Sequence, residues 1–124
     1  MNRLVFFAIL IAFNLKLFGQ KTPGDFGYTH LIYNYKGDKV DILVKSKKGE
    51  ENIRKPLFFW CQGSLPQPLL KIGENGAYGV FPFNPDSISI KYHLVVVGKP
   101  YIPLICETTI LGNNFMYCDS YLFW

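Results

Sequence analysis

The stretch KPLFFWCQGSLPQPLL (residues 55–70) decides how this chain is read. A run of apolar residues from Leu57 to Trp60 stops at Cys61 and gives way to Gly63, Ser64, Pro66 and Pro68. A continuous apolar run, rather than an alternating one, predicts a strand buried on both faces and therefore central in its sheet. Such a strand hands the chain to a backbone loop of restricted shape, because glycine permits close approach and proline removes alternative conformers.

Working outward, YTHLIYNY (28–35) and KVDILV (39–44) are rich in aromatic and β-branched residues and flank Lys36, Gly37 and Asp38. That pattern predicts a β-hairpin. KSKKGEEN (45–52) reads as a second turn, and PLLKIGENGAYG (68–79) has room for one helical turn before Gly73 and Gly76 stop it. YHLVVV (92–97) repeats the earlier pattern, a buried apolar run that breaks at Gly98 and Pro100. Two buried strands that each end in a Gly/Pro loop predict loops gathered along one edge of a sheet. In open α/β sheets, ligands bind in the crevice beyond the carboxyl ends of the strands.

A length of 124 residues allows one domain, and 49% hydrophobic against 18% charged residues excludes a disordered chain. The formal charge of +4 includes Arg3 and Lys16 in the apolar leader. The small remainder gives no argument for nucleic acid. Lys45, Lys47, Lys48, Arg54 and Lys55 cluster, but Glu50 and Glu51 interrupt them and no stacking aromatics interleave, so they read as a solvated hairpin end.

The opening MNRLVFFAILIAFNLKLFGQ places Arg3 before an apolar run from Leu4 to Phe13, the pattern of a secretory signal peptide over residues 1–19. It predicts a secreted or periplasmic protein whose domain begins at residue 20. The run falls short of the roughly 20 residues that span a bilayer. An uncleaved anchor is the alternative, because Leu17 is bulky for a cleavage site. Cys61, Cys106 and Cys118 are odd in number for an exported chain; one disulfide plus a free thiol and simple burial both remain open. With no C-x-x-C and two distant histidines, neither metal nor cofactor is expected. The stretch NNFMYCDSYLFW (113–124) finishes on large apolar groups, which predicts a domain that continues past Trp124.

Taken in order, the hairpin, the LFFW strand, the CQGSLPQP loop and the YHLVVV strand followed by GKP resemble the N-terminal portion of the α/β-hydrolase family, its strands one to four. The resemblance implies an α/β fold class: an incomplete α/β-hydrolase-like sheet, β-rich as it stands. It also implies that the loop after the third strand donates backbone N–H groups to an oxyanion hole. By position, Gly63 provides the turn and Ser64 and Leu65 the donors, while Cys61 and Gln62 stand where the family often has His and Gly. The implied function is that of an exported serine hydrolase acting on a small ester or peptide substrate. This chain would hold the oxyanion loop and none of the catalytic triad, and would be inactive alone.

The residues agree with that division. No G-x-S-x-G is present, and in this family the triad runs Ser, then Asp or Glu, then His. His30 and His93 both precede the nucleophile's place, so each reads as a strand residue with its ring nitrogens satisfied locally. Ser64 as a nucleophile lacks a neighbouring base. A thiol pair of Cys61 with His93, on adjacent strands, is the other arrangement to test.

Read without the resemblance, GSLPQP is an ordinary rigid surface loop. The chain is then a small secreted β-rich binding protein with no catalytic activity. Eight tyrosines, eleven phenylalanines and two tryptophans could line a sugar or peptide surface, although most sit in runs such as LFFW and VFPF that core packing explains.

Overall fold

Lys36 and Gly37 turn the chain with φ of 49° and 90°. These are the two left-handed residues that a two-residue type I′ hairpin requires. They join β1 (Thr29–Tyr35) to β2 (Asp38–Lys45) as an antiparallel pair with Tyr35 opposite Asp38. The chain continues through β3 (Leu57–Cys61), β4 (Leu70–Gly73), β5 (Gly76–Gly79), α1 (Pro85–Lys91), β6 (His93–Val97) and β7 (Ile105–Glu107). The computed structural model describes residues 21–111, so the expected signal peptide, Cys118 and the apolar stretch 113–124 lie outside the described residues.

The strands form two mixed sheets, one ordered β1-β2-β6-β3 and the other β5-β4-β7. In the first, β6 is antiparallel to β2 and parallel to β3. In the second, β4 is antiparallel to β5 and parallel to β7.

This architecture corrects the α/β class and the incomplete α/β-hydrolase-like sheet expected from the sequence. Strands dominate, they divide between two sheets, and a single α-helix of seven residues is present among the described residues. The stretch 68–79 is one source of the difference. Where a helical turn was expected, β4 and β5 form a tight hairpin with Gly73 opposite Gly76, the latter at φ 111°. The helix that does form went unread. Asn84 caps it by accepting from the amides of Asp86 at 2.8 Å and Ser87 at 3.3 Å, and Pro85 occupies its first turn.

The position of β3 is also corrected. Among the described residues it pairs only with β6 and forms the edge of its sheet, with Phe58 and Trp60 half-buried while Leu57, Phe59 and Cys61 are exposed. An apolar run is the same whether both faces are covered or one, so the sequence could not distinguish the cases. β6 has neighbours on both sides, and Leu94, Val95 and Val96 are buried.

The core lies on one face of the four-stranded sheet. Leu43, Leu94 and Val96 share that face and are fully buried beneath Leu69, Leu70 and Leu104, with Ile88 of α1 packed against them. Trp60 meets Phe81 edge-on at 5.1 Å between ring centres, and Phe58 meets Phe83 at 5.5 Å. Such edge-to-face pairs add to the burial they bring. The opposite face carries Leu31, Tyr33, Leu57 and Phe59, all exposed, and no other layer covers them among the described residues.

Candidate functional site

Because β3 and β6 run parallel and side by side, with Cys61 opposite Val97, the loops that follow them leave the sheet at the same end. Lys99, just beyond β6, donates from Nζ to the Leu65 carbonyl at 3.4 Å and ties the second loop to the first. The exit from β6 is fixed by Gly98, whose amide donates to the Asp41 carbonyl at 2.8 Å. A Cβ there would lie 2.9 Å from the Leu104 side chain and 3.1 Å from the Asp41 carbonyl oxygen.

The Gly63–Leu65 loop is braced from within. The Gln62 side-chain amide donates to the Gln67 carbonyl, and the Gln67 amide closes a turn on the Leu65 carbonyl at 3.0 Å. Lys71 Nζ donates to Gln67 Oε1 at 2.9 Å. Pro68 and Leu69 are buried and hold the far end of the loop in the core.

Gly63, Ser64 and Leu65 themselves are exposed. The N–H groups of Ser64 and Leu65 donate to no protein acceptor among the described residues. The fold does not demand glycine at 63: its φ is not left-handed, and an added Cβ would meet nothing within 4 Å. Among the described residues, nothing in the fold thus requires the small size of that residue. Fixed backbone donors beside an open approach can stabilise negative charge developing on an oxygen.

No triad stands around this loop among the described residues. His93 lies at the opposite end of β6, where Nε2 donates to the Ile53 carbonyl and Nδ1 shares a hydrogen bond with Ser46 Oγ, each at 2.7 Å. Cys61 and His93 are offset by four residues along parallel strands, about 13 Å at 3.3 Å per residue, which excludes them as a thiol pair. His30 Nε2 lies 2.7 Å from Asp41 Oδ1, and Lys39 Nζ is 3.1 Å from the same oxygen. Ser64 has no side-chain hydrogen bond and no base beside it among the described residues. No group of three or more His, Cys, Asp or Glu could hold a metal ion among the described residues.

A hollow of about 680 Å³ is not at this loop. It lies beside Lys45, Lys47, Glu51 and Asp86, at the end of the sheet where β6 begins. Two of the three lysines that line it are engaged in ion pairs, Lys45 with Asp86 at 3.0 Å and Lys47 with Glu50 at 2.7 Å. The Lys47 and Lys55 ammonium groups hold the Glu50 carboxyl down to about 2.

Sequence reasoning named Gly63, Ser64 and Leu65, and Gln62 by its place in the resemblance, but missed that Gln62, Gln67, Lys71 and Lys99 brace the loop. One signal was available. Lys71 interrupts the apolar LLKI run, and in the structure it is buried, with its pKa lowered by desolvation. No protein-family profile, curated protein or solved structure matches the chain.

Proposed function

We propose that this chain supplies the oxyanion-loop portion of an exported serine hydrolase, acting on ester or peptide bonds, with no catalytic triad of its own. The observation that carries this reading is the parallel β3–β6 pair, which delivers the braced Gly63–Leu65 loop with the Ser64 and Leu65 amides facing no protein acceptor among the described residues. Acyl transfer places negative charge on a carbonyl oxygen, and loss of one such donor costs roughly 2.7–4 kcal/mol of transition-state stabilisation. Nucleophile, acid and base come from further polypeptide in this reading. Among the described residues, the uncovered sheet face bearing Leu31, Tyr33 and Phe59, and the single pairing of β3, support such an additional layer.

The reactivity of the chain tests this division of roles. The purified protein leaves hydrolysis of p-nitrophenyl acetate at the buffer rate, and Ser64→Ala changes nothing. Turnover that is lost with Ser64→Ala would put the nucleophile in this loop and overturn the assignment.

The same uncovered face favours a second reading, a small β-rich binding protein that presents Leu31, Tyr33, Leu57 and Phe59 to a partner. A monomeric chain with a cooperative thermal transition supports that reading. A chain that associates through its open sheet supports the first.

A further inference from the structure

The Gly63–Leu65 loop has few anchors in the core until Pro68, yet a buried cation stands behind it. Lys71 is 5% exposed, on β4, between Leu70 and Ile72. A lysine in such a place loses hydration, and its lowered pKa records that cost. A methionine would fill the position without the penalty, so the ammonium needs a role that offsets it. Its bond to Gln67 Oε1 at 2.9 Å supplies one. Gln67 is the residue on which the loop closes: its amide donates to the Leu65 carbonyl, and its own carbonyl accepts from the Gln62 side chain.

We propose that Lys71 is a positioning residue for the Gly63–Leu65 loop, acting through Gln67 to hold the Ser64 and Leu65 amides in one orientation. The purpose assigned to that order rests on the oxyanion reading above, whereas the order itself does not. A cation at this site is well suited to the task. Hydrogen bonds to charged groups are about twice as strong as neutral ones, and the low local dielectric around a buried group strengthens them further. The brace reaches the loop from buried Lys71, and the Ser64 and Leu65 amides meet no protein acceptor among the described residues. Lys99, whose bond to the Leu65 carbonyl is longer at 3.4 Å and exposed, is the weaker support.

The test is backbone 15N relaxation on the full chain. In the parent protein the order parameters of Ser64 and Leu65 are expected near the rigid value of about 0.85, and in Lys71→Met and Gln67→Ala they should fall below about 0.6. The double variant should fall no further than the more affected single one, because Lys71 reaches the loop through its contact with Gln67. Order parameters of Leu94 to Val96 should not move, which separates loop positioning from general loosening. Gln67→Ala removes only a partly exposed side chain, so it keeps the test decisive if Lys71→Met fails to fold. A loop that stays ordered in Gln67→Ala, or additive effects in the double variant, overturns the proposal. Relaxation reads the loop without substrate, so an ordered, Lys71-dependent loop in a protein unrelated to hydrolysis would overturn only the function.

Discussion

Phe59 and Val95 lie directly opposite each other in the β3–β6 pair, yet Val95 is 8% exposed and Phe59 is 63% exposed. The pair marks the edge of the four-stranded sheet among the described residues. Val95 is shielded by the strands on either side of β6, while Phe59 stands on the last strand of a sheet whose outer face has no cover among the described residues.

That face should govern association. Leu57→Lys with Phe59→Lys places charge on an exposed edge strand, a device that natural sheets use against edge-to-edge pairing. We expect weaker binding of an apolar dye and a lower sedimentation coefficient, with the unfolding midpoint in urea changed by under about 0.5 kcal/mol equivalent. Unchanged association would show that the open face is not the contact surface.

Two glycines near the loops should behave differently. Gly98→Ala drives a Cβ toward the Leu104 side chain and the Asp41 carbonyl, and should cost about 1–3 kcal/mol of stability. Gly63→Ala meets open space and should stay within about 0.5 kcal/mol. Urea titration of both variants checks the pair. A large loss at Gly63 would mean that the fold, rather than an approaching ligand, requires the small residue.

Alkaline pH should expose Tyr28. Burial, with a smaller contribution from the Asp86 carboxylate, pushes its phenol up to about 12. The unfolded chain releases that proton near 10, so between about 10 and 12 the folded state holds a proton that the unfolded state has lost. Stability is therefore complete below pH 10 and falls as pH rises through about 12. Phenolate absorbance should show Tyr28 titrating late, alongside Tyr101, whose phenol is held above its ordinary value by its hydrogen bond to Asp38, and Tyr28→Phe should remove the Tyr28 contribution to the late step and its share of the alkaline loss. Complete titration near pH 10 would contradict the buried placement.

The hairpin was legible because its signal is local: Lys36 and Gly37 lie between strands rich in aromatic and β-branched residues, and the turn needs only those two left-handed residues. The β6 strand was legible because it is central, with a neighbouring strand on each edge and Leu94 to Val96 buried. What the sequence could not convey is pairing at a distance. The apolar run at Leu57–Trp60 looks the same at an edge as in a centre, and GENG reads equally as a helix stop or a hairpin turn until β7 arrives to pair with β4. The loop residues could be named from their type and their place after a strand. The braces could not, because Lys71 and Gln67 meet through a side chain whose direction only the fold decides.

The most direct measurement is to sequence the encoding DNA beyond codon 124 in all three frames. The account predicts a frame that continues into a buried strand with a G-x-S-x-G turn, followed by an acidic residue and a histidine in that order, so that the Gly63–Leu65 loop is completed by a nucleophile. A stop directly after Trp124, with no such continuation in any frame, would contradict it and leave the binding-protein reading as the better description.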